Sequence, residues 1–365
     1  MGDFTGFHEQ LRDVAREVLR RYRAVSVGDA PPSPVDWRLL ADSGWLGLEV
    51  PEHLGGAGAT LSEVAVVLEE MGRAACLSSY LGGAVLGVGL LNMVEPGPER
   101  DDLLSRVAAG RARPAVALAT GDEGGDRLAP FAFTWSGGRL EVSGRADFVP
   151  DAPDADCVLL VAADPAGGLA VIPTAPGAAG LSVAGLEVLD PSRRFGTVEA
   201  RGLSVGEDAV WRLTTPGHAA GRELFDRGAV AVACDSLGLA EEMLRATVAY
   251  ALVRHQFGRP IGSFQAVKHA CADMLVRLRV GRELLSEAVG ALGEGAPGSS
   301  VQVAQAKSYV GEAAVDVAGR AMQLHGGIGY TWESGIHVYL KRAALNRSLF
   351  GSPAWHRRRL AARYG

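Results

Sequence analysis

Two short stretches concentrate the residue types that can grip a phosphate-bearing molecule. The first is VRHQFGRPIGSFQAVKH, Val253 to His269, which sets Arg254, Gln256, Phe257, Gly258 and Gln265 around one turn. The second is QLHGGIGYTWE, Gln323 to Glu333, with three glycines in four residues beside a glutamine and a histidine. An arginine offers charge-assisted hydrogen bonds to phosphate oxygens. A phenylalanine offers a face on which a flat ring stacks. Glycines let backbone N–H groups approach an anion closely, and successive N–H groups form a nest. The same glycines also suit the ends of helices, so residue types alone leave both readings open.

Other chemistries are poorly served. CDSLG around Ser236 lacks the first glycine of a nucleophile elbow and lies in a helical pattern. The histidines show neither HExxH nor His-x-His spacing, so no metal site is expected. HLGGAGAT and LGGAVLGVGLL are glycine-rich without the Gly-x-Gly-x-x-Gly order of a nicotinamide-binding unit.

The elements that must position the two stretches can be read from periodicity. Residues 1–114 read as a helical domain: Phe7, Leu11, Val14, Val18 and Tyr22 recur at helical spacing, and prolines at 31, 32 and 34 break the chain. Thr60 or Ser62 can cap a helix with core positions Leu61, Val64, Leu68 and Met71. Residues 115–215 carry short apolar runs between turn residues, such as CVLLVAA and LAVIPT, the pattern of an antiparallel β domain. Residues 216–365 return to long helical segments, with GEGAPGSS between the second and third, as expected of a four-helix bundle. The fold class is α+β in the order helical, β, helical bundle.

With 365 residues, the chain is long enough for two or three such units. A net charge of -6 argues against nucleic-acid binding, and the basic HRRRLAARYG reads as a solvated helix. Cys76, Cys157, Cys234 and Cys271 are far apart, which suits buried thiols in a reducing cytoplasm. The amphipathic, charged start is not a signal peptide, and no window approaches the ~18 uninterrupted apolar residues of a membrane span.

The order of the two motifs resembles the acyl-CoA dehydrogenase family of flavoproteins. YALVRHQFGRPIGSFQAVKHACADM and QLHGGIGYTWESGIHVYLKRA carry the resemblance, supported by WRLLADSGWLGLEVPEHLGGAGATLSEVAVVLEEMGR, and it extends over essentially the whole chain. It implies a helical N-terminal domain, a middle β domain and a C-terminal four-helix bundle. It implies FAD shared across a subunit interface, with Arg254, Gln256, Phe257, Gln265, Gln323, Gly326 and Gly327 holding the ADP half of a neighbouring subunit's cofactor. The implied reaction is α,β-desaturation of an acyl-CoA or other acyl thioester, with electrons passed to an acceptor such as electron-transfer flavoprotein.

The sequence departs from the family at the reaction centre. A carboxylate should remove the α-proton, from a dry pocket that raises its pKa. The two family positions for that base hold Phe350, before Gly351, and Gly228, after Phe225-Asp226-Arg227. Thr120 and Gly124 to Asp126 are a remnant of the family's flavin-lining loop. Phe148-Val149-Pro150 stands where a hydroxyl donor would be. Three expectations compete: a subunit sharing FAD with an unlike, base-bearing chain; a homomeric enzyme with a relocated acid among Glu123, Asp126 and Glu333; and a non-catalytic structural or binding subunit. Glu333 better suits a structural hydrogen bond, Asp235 a surface or cap partner, and His255 and His325 packing or a place near phosphate.

Overall fold

The computed structural model describes residues 5–23, 33–122, 128–136, 138–164, 167–331 and 334–364. The first helical layer comprises α1 (Thr5–Leu19), α2 (Trp37–Asp42), α3 (Leu61–Ala74), a wide π-helical stretch (Leu81–Val88) running into α4 (Gly89–Met93), and α5 (Pro98–Ala108). Thr60 caps α3 in a reciprocal box: its hydroxyl accepts from the Ser62 N–H, and its own N–H donates to Glu63 at 2.8 Å. Leu61, Val64, Leu68 and Met71 are buried, as their spacing predicts. The α1 stripe is rotated from the expected one. Ala15 and Leu19 are buried, whereas Phe7 and Val14 face solvent, because the buried Glu63, Glu69 and Glu70 of α3 pair with His8, Arg12 and Arg16 along the interface.

The strands are β1 (Pro114–Ala117), β2 (Phe131–Ser136), β3 (Arg139–Pro150), β4 (Cys157–Ala163), β5 (Leu169–Thr174), β6 (Leu181–Leu186), β7 (Phe195–Val205) and β8 (Trp211–Arg212). They form one sheet in the order β6-β7-β3-β2-β4-β5-β8, with β1 also on β4. Most neighbours are antiparallel, but β1 and β2 both pair with β4 in parallel. Short alternating runs predict strands, whereas the direction of pairing is set by long connections that leave no local signal. The sheet has its own apolar core around Phe131, Val142, Leu160, Ile172 and Val198.

Beyond the sheet, α6 (Gly217–Val253), α7 (Gln265–Gly293), α8 (Ser300–Leu324) and α9 (Ile336–Ser348) pack as the bundle, with α10 (Pro353–Tyr364) against α8. Along the basic tail His356 is buried and Arg359 and Leu360 are half-buried, while Arg357, Arg358 and residues 361–363 are exposed, as expected of a largely solvated helix. Helices from both ends of the chain share one apolar core. The contact between α3 and α6 depends on two glycines. A Cβ on Gly72 would run into the Asp235 carbonyl, and a Cβ on Gly238 into the Glu69 carbonyl, so the backbones touch. Among the described residues, no helix is long and apolar enough to cross a membrane.

Asp235 sits at this crossing. Contrary to the expectation of a surface or capping role, it is fully buried. Arg342 donates to it at 2.9 and 2.6 Å, Asn346 donates at 2.7 Å, and Arg193 lies 3.1 Å away. Burial pushes its pKa up, but the Arg342 and Arg193 guanidiniums outweigh that and hold it at about 2. Its partners come from another helix and the segment before β7, none of which its sequence neighbours reveal.

Candidate functional site

The α6–α7 corner is built by a tight hairpin. His255–Gln256 pairs with Arg259–Pro260 across a two-residue turn, Phe257 at φ 52° and Gly258 at φ 76°. Such a mirror-image turn needs two left-handed residues. Glycine adopts that conformation freely, whereas phenylalanine is strained in it. The Arg254 carbonyl closes the corner by accepting from the Ile261 N–H at 2.8 Å. Arg259 lies over the Phe264 ring at 4.1 Å, and the Phe257 ring is 91% exposed. Arg254, Gln256 and Gln265 are exposed around it.

At the end of α8, Gln323 is exposed on the last turn, and the chain leaves through Gly326 at φ 61°. Nothing lies within 4 Å of where a Cβ would stand on Gly326 or Gly327, and both residues are exposed. His325 is buried; its Nδ1 lies 2.7 Å from the Ala321 carbonyl, and its ring stacks on Tyr250 at 4.4 Å. Burial lowers its pKa. It therefore packs, as expected, and its stack joins the end of α6 to the end of α8. The structure thus brings all seven sequence-predicted residues to one end of the bundle. Exposed apolar side chains surround them: Leu252, Val253, Ile328 and Tyr330. An apolar patch rimmed by polar groups is the mark of an interaction surface.

The positions expected for a catalytic base lie elsewhere. Gly228 and Val253 are 25 residues apart on α6, about 38 Å at 1.5 Å per residue. Phe350 faces Gly228 directly, and its ring occupies the space that a Cβ on Gly228 would need. Phe350 is fully buried at φ 53° in the turn between α9 and α10. Its N–H donates to the Thr120 carbonyl at 2.5 Å, and His356 Nε2 is 2.9 Å from its carbonyl. Its ring packs edge-on against Phe225 at 5.9 Å. Lys307 donates to the Arg347 and Gly351 carbonyls at 3.0 and 2.9 Å, and Ser352 donates to Asp122 through its N–H at 2.6 Å. The two expected base positions therefore fill each other. Three carboxylates near this turn are engaged: Asp122 by Ser352, Asp226 by Arg359 and Ser300, and Glu49 by Arg227.

Beside this turn a cleft of about 490 Å³ opens between β3 and α9, lined by Thr120, Phe148, Leu345 and Leu349 among others. Phe148 is half-exposed at φ 54°. Its neighbours Val149 and Pro150 are buried behind it, so Phe148 alone of the three lines the cleft. Glu123, Gly124 to Asp126 and Glu333 lie outside the described residues. Sequence reading singled out Arg254, Gln256, Phe257 and Gln265 at the α6–α7 corner but missed the Arg259–Phe264 contact, the Tyr250–His325 stack and the Phe350–Gly228 contact. No spacing rule connects positions so far apart.

Residues 5–111 match the family model for the acyl-CoA dehydrogenase N-terminal domain, and residues 217–365 match the one for its C-terminal domain. This chain belongs to the acyl-CoA dehydrogenase family. It is 32% identical to acyl-CoA dehydrogenase IpdE2 of Mycobacterium tuberculosis, over 96% of this chain and 95% of that one. Among solved structures, it is similar to a variant of the Tcur3481–Tcur3483 steroid ACAD, with TM-score 0.84, 30% identity and 98% coverage of both chains. It is also similar to a chain of the ChsE4–ChsE5 complex from Mycobacterium tuberculosis, with TM-score 0.84, 26% identity, and coverage of 97% and 96%. The helical, β and helical-bundle order expected from periodicity is therefore that of an acyl-CoA dehydrogenase.

Proposed function

We propose that this chain is the base-lacking subunit of a two-chain acyl-CoA dehydrogenase that desaturates an acyl thioester. The observation that carries the reading is the buried contact of Phe350 with Gly228, the two positions at which the family resemblance expects a base. A phenyl ring cannot accept the α-proton.

The opposite end of α6 keeps the parts suited to a dinucleotide. Arg254 offers charge-assisted bonds to a pyrophosphate, Phe257 a stacking face, and Gln256, Gln265 and Gln323 amide groups. The exposed Gly326 and Gly327 would let a ligand approach the backbone closely. These residues suit the ADP half of FAD. When bound, FAD supplies the two-electron acceptor that takes the β-hydrogen as hydride. The cleft at Thr120 and Phe148 lies by Phe350, at the far end of the 38 Å stretch of α6, so the corner is placed to serve a cofactor seated mainly on another chain. Two similar solved structures carry paired names, Tcur3481–Tcur3483 and ChsE4–ChsE5, in keeping with an unlike partner. A steroid thioester is the first substrate class to assay, beside shorter and carrier-bound acyl groups, with electron-transfer flavoprotein as the acceptor.

The test is an absorbance spectrum with FAD counted per chain, first for this chain alone and then for the chain purified with a base-bearing family member. We expect a colourless protein alone and a yellow, thioester-bleached complex with the partner. One FAD per chain in the isolated protein, bleached by an acyl thioester, would overturn the proposal in favour of a homomeric enzyme with a relocated acid.

A further inference from the structure

Two adjoining clefts, of about 420 and 670 Å³, run between the end of α1, the C-terminal third of α6 and the start of α9. Arg16, Arg20, Arg21, Arg23, Arg73 and Arg245 line them, against two carboxylates, Glu70 and Glu242. Each carboxylate is divided among guanidiniums. Glu70 accepts from Arg16 at 3.0 Å and Arg73 at 3.1 Å. Glu242 accepts from Arg23 and from Arg245, the latter at 2.6 and 2.8 Å. Outside the clefts, Arg20 pairs with Glu17 and Arg73 with Glu241.

A guanidinium has five N–H donors and a carboxylate about four acceptor sites, so two shared carboxylates leave many donors unspent. Glu70 and Glu242 hold four of the arginines in place, and with Asp13, Glu17 and Glu241 outside the clefts they offset part of the positive charge. One wall of the larger cleft adds a flat surface, the stacked Tyr250 and His325 rings. Preset guanidinium forks favour planar anions and phosphates, and the ring pair suits a heterocycle. None of the six arginines belongs to the α6–α7 corner or to the Phe350 pocket.

We propose that this arginine-lined cleft is a second binding site, for a nucleotide-sized phosphate ester, with its phosphates on the guanidiniums and its base against Tyr250 and His325. Its arginines are distinct from those of the proposed FAD corner, which it adjoins through Tyr250, His325 and Ile328.

Isothermal titration of the assembled, FAD-loaded protein tests it, with ADP, inorganic pyrophosphate and adenosine as probes. ADP and pyrophosphate should bind saturably, more weakly as salt rises, and adenosine should bind far more weakly than either. Arg20 and Arg245 have side chains 74% and 60% exposed, so Arg20→Gln with Arg245→Gln should leave the fold intact. The pair should lower ADP affinity about tenfold or more. Tyr250→Ala should weaken ADP while leaving pyrophosphate unchanged. The proposal fails if ADP and pyrophosphate give no saturable heat, or if the paired arginine variant binds as before. It also fails if Arg254→Gln, and not the paired variant, abolishes ADP binding, since ADP would then be entering the dinucleotide corner. Binding of an acidic peptide without either phosphate probe would make the cleft a protein-docking surface and overturn it as well.

Discussion

Phe350 and Gly228 are complementary as a knob and a socket. A methyl group on Gly228 overlaps the Phe350 ring, which is fully buried and held by hydrogen bonds on both sides of its backbone. Alanine is the better helix former, by up to about 1 kcal/mol. Overpacking should nonetheless win, so Gly228→Ala is expected to destabilise the chain by about 1–3 kcal/mol in urea unfolding. Combining it with Phe350→Leu should recover part of that loss, a coupling that a double-mutant cycle reads directly. Additive losses would show that the two residues do not share the space. Lys307, beneath the same turn, gives a pH signature. Burial pulls its pKa down to about 7, Asp122 opposing. Below about pH 7 the folded and unfolded states are both charged, and the burial cost is carried in full. Between there and the ordinary lysine value near 10.4, the unfolded chain holds a proton that the folded one has lost, so stability rises with pH. Lys307→Met should flatten that rise between pH 7 and pH 9, measured as the urea midpoint. An unchanged slope would place the titration elsewhere.

At the scale of elements, the crossing of α3 on α6 controls how the terminal helices meet. The carbonyls of Glu69 and Asp235 lie where side chains of Gly238 and Gly72 would begin. Backbone cannot swing aside as a flexible side chain can. Gly238→Ala is therefore expected to cost about 3 kcal/mol or more, with lost near-ultraviolet circular dichroism if the helices separate. A neutral outcome would mean that the helices slide at little cost. Helix and strand textures were legible because burial on one face imposes periods of 3.6 and 2. The rotated stripe of α1 was not, because the ion pairs of Arg12 and Arg16 with Glu69 and Glu70 decide which face turns inward. The parallel pairing of β1 and β2 with β4 was equally hidden, because register across long connections is a tertiary choice.

For the whole molecule, the decisive fact is the separation along α6 of the α6–α7 corner from the Phe350 pocket. A patch that displays Phe257, Leu252, Val253, Ile328 and Tyr330 to solvent is costly for a lone chain and suited to an assembly. Phe257→Ala should change the stability of the isolated chain by no more than about 0.5 kcal/mol, since its ring contributes little to the core. The same change should lower the FAD retained by the assembled protein, read from the flavin absorbance after gel filtration. Full retention would remove Phe257 from the cofactor surface. The sequence by itself determined the order of helical and β units and narrowed the α3 cap to Thr60 or Ser62, because each is written in local spacing and in turn chemistry. Tertiary structure alone decided that the two corners meet at one end, that Phe350 fills Gly228, that Asp235 is buried among arginines, and that Glu70 and Glu242 are each shared between two arginines. Those outcomes rest on contacts between residues far apart in the chain, where packing volume and charge pairing leave no local trace.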